Sequence, residues 1–359
     1  MMKKWMLTLC SLFVGGTLFA GHQESGHQTV EDISPNTYIF GDILYMKGYA
    51  DGMHLATRRG MKQDNVADKK VVTFDSEWEW GARVGLGRKL KGHDDWELFA
   101  TYAYYHGHAE NSTSAGQAGS QMGQYCNTCS RQPWSTLLGS QVFSAKGSWH
   151  TDVHVIDLNI GRWYQPSSYV KMRPYLGGRG VLLDLGVVAR YEGAWVDAQD
   201  SVVTRGTNFN GHSGLHGGGI RTGSNVAWLF NTNWSIFSDF SVTLLWGHFK
   251  IKEKFKGGET TSGSLEPFTE TYSKNFSSIR TNIEASVGLK YDTSFKEGER
   301  TLSIFFGYEL SKWYRANELF TVNRIIQNES GTPSAVYLED PISNDIGFHG
   351  FALRAKVGF

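Results

Sequence analysis

The segment that decides the fold is FALRAKVGF, residues 351–359. Phe351, Leu353, Ala355, Val357 and Phe359 are apolar, while Ala352, Arg354, Lys356 and Gly358 between them are small or charged. A side-chain period of two belongs to an extended strand, whose successive residues point to opposite faces. One face of this strand suits lipid and the other suits water, the pattern of a membrane-spanning β-strand.

The same parity recurs along the chain. In WEWGARVGLG at 78–87, Trp78, Trp80, Ala82, Val84 and Leu86 stand opposite Glu79, Gly81, Arg83, Gly85 and Gly87. Ile279, Thr281, Ile283, Ala285, Val287, Leu289 and Tyr291 alternate with Arg280, Asn282, Glu284, Ser286, Gly288 and Lys290. Leu302, Ile304, Phe306, Tyr308 and Leu310 form a fourth such face. Further strands are expected over residues 37–47, 94–106, 149–163, 168–185, 217–230 and 233–250, with weaker ones near 51–57 and 186–195. Bacterial barrels take an even number of strands, each about 9–11 residues long in the membrane. The reading is therefore all-β: a transmembrane antiparallel β-barrel of 12–16 strands. The polar, aperiodic stretches 107–147, 197–216, 256–276 and 316–345 are its expected long extracellular loops, one of which could turn inward.

Composition agrees. The chain has 359 residues with 42 Gly, 21 Phe, 16 Tyr and 12 Trp, a content that suits strands and close backbone approaches. Its 35 basic and 35 acidic side chains leave no net charge, hence no field for nucleic acid. A mean hydropathy of −0.35 cannot supply several helical spans of about 20 apolar residues. If the chain enters a membrane it does so as a barrel, since only helices and closed barrels satisfy their backbone in lipid.

The N-terminus indicates export. Lys3 and Lys4 precede an uncharged stretch from Trp5 to Ala20, and polar sequence follows at Gly21 and His22, as in a cleaved signal peptide. The expected organisation is a signal peptide at 1–20, a flexible mature N-terminus at 21–36 and the barrel at 37–359. Losing Lys3 and Lys4 with the leader takes the formal charge from zero to −2. A soluble β-sandwich also alternates. Export, aromatics near strand ends (Trp78 and Trp80, Tyr102 to Tyr105, Trp163 and Tyr164, Trp313 and Tyr314) and the final Phe359 favour the bacterial outer membrane. Phe359 is the expected C-terminal assembly signal.

Six motifs in order suggest a family: GDILYMKGYADGMHLA at 41–56, WEWGARVGLG at 78–87, DDWELFATYAYYH at 94–106, DLNIGRWYQPSS at 157–168, RPYLGGRGVLLD at 173–184 and TLLWGHF at 243–249. Together they resemble the Legionella-type major outer membrane protein family and its relatives in Chlamydia-like bacteria. The resemblance implies a porin-like outer-membrane barrel, abundant at the cell surface. Met46 and the long 107–147 stretch depart from the expected pattern.

A diffusion pore needs no catalytic group and no cofactor, only an aqueous lumen whose charges filter solutes. The lumen-facing charges expected from parity are Arg83, Asp157, Arg162, Arg173, Arg179, Asp184, Asp239, Arg280, Glu284, Lys290, Arg354 and Lys356. The set is of mixed sign, which predicts weak ion preference. The bland alternative for each is a wall charge that is merely solvated or paired. Cys126 and Cys129 form a CxxC in the long polar stretch, where a local disulfide or links to envelope neighbours suit an oxidising compartment. A redox motif or a zinc site would need partners that the flanking sequence does not display. The histidine pairs His150/His154 and His212/His216 lack carboxylate or thiolate companions, so no metal is expected. Ser213 in GHSG lacks the strand–turn–helix of a nucleophile elbow, so no enzyme is expected. The expected partners are outer-membrane lipid, small hydrophilic solutes and ions, with a homo-oligomer compatible. The function read from sequence is a passive diffusion porin, with a plugged surface structural protein or adhesin as the alternative.

Overall fold

A computed structural model describes residues 36–61, 67–90, 96–114, 130–131, 144–196, 202–261, 264–295, 300–329 and 332–359. The expected leader, all but the last residue of the 21–36 segment, Cys126 and Cys129 lie outside the described residues. Ten strands form the wall: β1 (Thr37–Ala50), β2 (Trp78–Lys89), β3 (Trp96–Ser114), β4 (Ser144–Arg162), β5 (Val170–Val196), β6 (Val202–Leu229), β7 (Trp234–Thr261), β8 (Ser264–Phe295), β9 (Arg300–Glu329) and β10 (Thr332–Gly358). Each pairs antiparallel with the next in sequence, and β10 returns to β1 through Tyr38↔Gly358 to Ala50↔Ile346. The barrel is closed, which removes the unpaired edge that lipid would not tolerate.

The wall closes with ten strands rather than 12–16. The physical reason is strand length. β5 to β10 run for 27 to 32 residues, so segments expected as loops continue the ladder. Residues 202–216, much of 256–276 and much of 316–345 are paired strand, as in Asn317↔Asn344 to Glu329↔Thr332. Beyond the lipid the outer face of a strand meets water and the buried inner face mixes polar with apolar residues, as in Thr207, Phe209, Ser213 and Leu215, so the sequence loses its period-two contrast. Likewise the separate strands expected at 168–185 and 186–195 are one strand, β5.

Register fixes the diameter. From Ile39, cross-strand partners run through Leu86, Ala100, Leu158, Gly178, Ile220 and Leu244 to Thr281 on β8. In the other direction they run through Val357 and Leu302 to Thr293, a stagger of 293 − 281 = 12 residues. Ten strands with that stagger tilt by about 40° and give a backbone radius of about 10 Å. An arginine reaching in from each side spans much of that width.

Outward faces carry the apolar set seen in the sequence: Ile220 is 67% exposed and Trp246 62%. One aromatic rim includes Tyr45, whose ring lies 4.6 Å from that of Trp80, and Phe351, stacked 6.0 Å from Trp78. The other rim, near Thr37 and Phe359, carries Trp96, Trp228 and Trp234. Short turns and the first and last residues of the wall, Thr37 and Gly358, lie at this second rim, which marks it as periplasmic. Three aromatics expected at the lipid boundary face inward instead: Tyr105 and Trp313 are buried, and Trp163 donates to Glu97.

Candidate functional site in the barrel lumen

Inward positions build the lumen in three tiers. At the periplasmic end, Arg173 on β5 donates from Nε to Asn225 Oδ1 at 2.8 Å, and from Nη1 to Tyr38 Oη at 3.2 Å and to Glu97. Tyr38 also donates to Glu97, whose second oxygen accepts from Trp163 Nε1 at 3.0 Å. Inward glycines leave the space these rings need. A Cβ on Gly87 would stand 2.3 Å from the Tyr38 ring, and one on Gly85 2.4 Å from Phe40.

The middle tier is a belt of ion pairs. Arg179 holds Asp157 with two bonds of 2.7 Å, and reaches Glu284 on β8 at 2.7 and 2.8 Å. Arg221 Nη2 donates to Glu284 Oε2 at 3.2 Å. On the facing wall Arg354 clasps Asp42 with two bonds of 2.7 Å. Arg83 donates to Asp42 at 3.0 Å and crosses to Glu309 on β9, which also accepts from Tyr105 at 3.1 Å. The guanidinium fork suits such double contacts, and its charges are buried only because each is matched. A cavity of about 110 Å³ lies among these two tiers, with Tyr175, Asp239, Lys290 and Lys356 in its lining. That is room for a few waters.

Above the belt the lumen is mainly apolar, with the Arg280–Glu318 ion pair set among it. Leu44, Met46, Trp149, Leu183, Phe249 and Phe348 point inward and are buried as one cluster. The connection between β1 and β2 caps it. Met53, Leu55, Ala56 and Phe74 belong to the same cluster, with Leu55 at 0% exposure. Tyr191 Oη donates to the Leu55 carbonyl at 2.9 Å and ties the cap to β5. Among the described residues the connection that turns inward comes from a region read as a weak strand near 51–57, not from the four long polar stretches of which this was expected. Its His54–Met61 strand pairs with Ala67–Thr73 and Ser130–Arg131 in a small separate sheet.

Of the twelve charges expected in the lumen, Arg83, Asp157, Arg173, Arg179, Glu284 and Arg354 sit in these two charged tiers. Asp239 accepts from Tyr175 Oη at 3.0 Å, and Lys290 pairs with Asp292 at 2.8 Å. Lys356 stands over the Tyr38 ring, 3.5 Å from its centroid. Arg280 lies higher, over Phe249 and bonded to Glu318 at 2.5 Å. Two positions are corrected. Asp184 faces outward and pairs with His212 at 3.0 Å, because β5 runs unbroken from Arg173 and Arg179 and an even position cannot share their face. Arg162 has the parity of Ile156, Leu158 and Ile160, and ends β4 over the Tyr164 ring at 5.2 Å.

Sequence reading missed Asp42, Glu97, Arg221, Asn225 and Glu309. Glu309 was open to inference, since it alternates with Tyr308 and Leu310. Asp42 was not: Phe40, Leu44 and Met46 make its own face as apolar as the outer one, and the contrast disappears.

The chain matches, over residues 34–359, the family described as Legionella pneumophila major outer membrane protein precursor. No curated protein matches it. Among solved structures it is similar to the outer membrane protease OmpT from Escherichia coli, at 8% identity and a TM-score of 0.34, covering 93% of this chain and 98% of that one. The TodX deltaS2S3 mutant monoaromatic hydrocarbon channel aligns at 8% identity and TM-score 0.30, covering 90% of each chain. The P. putida toluene transporter TodX aligns at 6% and 0.23, covering 90% of this chain and 89% of that one. Likenesses at this level carry no information about activity.

Proposed function

The chain belongs to the Legionella pneumophila major outer membrane protein family, and from that premise we propose that it is a closed-lumen outer-membrane barrel, a structural and surface-contact protein of the envelope. The observation that carries this reading is the apolar cluster above the ion-pair belt, capped by the Met53–Ala56 segment. Buried aromatic and aliphatic side chains exclude water where they pack. Extended hairpins add support. From Asn317↔Asn344 to Glu329↔Thr332, β9 and β10 pair for a further stretch of about 40 Å, surface available for contacts outside the membrane.

A water-filled passive diffusion channel for small solutes and ions is the second reading. The cavity among paired charges in the lower lumen favours it, and it requires the cap to move. Neither reading involves an enzyme. Planar-bilayer recording of the full chain, in preparations whose unheated band migrates as a folded barrel, separates them. The closed-lumen reading expects insertion without stepwise ohmic current. Regular ohmic steps in most insertions would establish the diffusion channel instead.

A further inference from the structure

We propose that the outer wall of β7, just above the lipid boundary, binds the phosphorylated headgroup of an outer-leaflet glycolipid. Four lysines occupy successive outward positions there: Lys250, Lys252, Lys254 and Lys256. Ile251, Glu253 and Phe255 between them turn inward and are buried. Below the ladder the same face carries Leu244 and Trp246, at 59% and 62% exposure, so the first lysine stands about 13 Å of strand above the last interfacial ring. The ladder begins at the level of headgroups, on the side opposite the short turns.

Neighbouring ammonium groups on one strand face are about 7 Å apart and repel one another. Among the described residues none of the four lies within ion-pair distance of a carboxylate. None of their cross-strand neighbours is a carboxylate: Asn208, Asn210, His212 and Gly214 on β6, and Thr269, Thr271, Ser273 and Asn275 on β8. The acid nearest in register, Asp184 on β5, is already engaged by His212 at 3.0 Å. Unmatched cations flanked by amides and hydroxyls complement a phosphate, and the apolar wall beneath provides for its acyl chains. A soluble sulfated glycan would meet the same charges but would make no use of that wall.

The test uses full-length protein extracted from outer membranes in neutral detergent, delipidated, and titrated with diphosphoryl lipid A while adducts are counted by native mass spectrometry. Retention should fall when both lipid phosphates are removed, and should weaken about fivefold for each lysine changed to glutamine. Arg88→Gln, at the opposite rim, should retain lipid like the unaltered chain. If the fourfold variant does not migrate as a folded barrel, Lys250→Gln with Lys252→Gln is read instead, with a loss of about twenty-five-fold expected. Three results overturn the proposal: undiminished adducts on folded lysine variants, equal retention of dephosphorylated lipid, or binding of heparin fragments without lipid A.

Discussion

Arg179 is where the lumen's electrostatics concentrate, because one guanidinium contacts both Asp157 and Glu284 at 4% exposure. Removing it leaves two carboxylates facing each other with only Arg221 nearby, 3.7 Å from Asp157. Arg179→Ala is expected to cost about 3–5 kcal/mol, the range for breaking a buried pair, read as a lower urea midpoint for loss of the folded band. Adding Glu284→Gln to that variant should recover part of the loss, since fewer charges remain uncompensated. An unchanged midpoint for Arg179→Ala would mean the pairs are solvated and the belt structurally unimportant. The sequence showed Arg179 and Glu284 by parity, since each alternates with apolar neighbours. It could not show that they meet, because that contact depends on the strand count and stagger. Asp184 carries the opposite lesson, for the parity that placed it outward was present in the numbering.

Two elements govern whether the barrel closes and whether it is sealed. Phe359 pairs with Thr37 through backbone bonds of 2.9 and 3.1 Å, so it extends the β10–β1 seam by one rung and sets an exposed ring at the periplasmic rim. Deleting it should slow assembly and reduce the heat-modifiable fraction recovered from outer membranes, because that seam closes the barrel. Normal assembly of the truncation would show that the remaining rungs suffice. The cap is a different kind of element: a connection held by burial rather than by the ladder. Leu55→Ser with Phe74→Ser should leave the wall folded yet produce current that the closed-lumen reading denies the unaltered chain, since polar groups at those sites draw water into the apolar tier. Continued silence of a folded double variant would move the seal down to the belt. Strands with a lipid face were legible because lipid enforces alternation. The cap was barely legible, since four buried apolar residues in a turn-rich stretch have no period.

At the scale of the whole molecule, ten strands and a stagger of twelve make the lumen narrow enough for side chains of opposite walls to meet. The expected 12–16 strands would have left an aqueous gap between them, and the mixed charges would have lined a filter. In the narrower barrel the same charges pair. Arg83, Arg179, Arg221 and Arg354 face Asp42, Asp157, Glu284 and Glu309, so the belt carries no net charge. A lumen opened by the cap substitutions should therefore discriminate weakly, with a reversal potential near zero in a potassium chloride gradient. Glu284→Gln in that opened background leaves one arginine in excess at the belt, so the reversal potential should move toward that of chloride. Arg83→Gln should move it the other way. These opposite shifts follow only if permeating ions cross the belt itself. If both substitutions leave the reversal potential where it was, the current passes elsewhere, and the tier of paired charges acts as a structural tie between the walls.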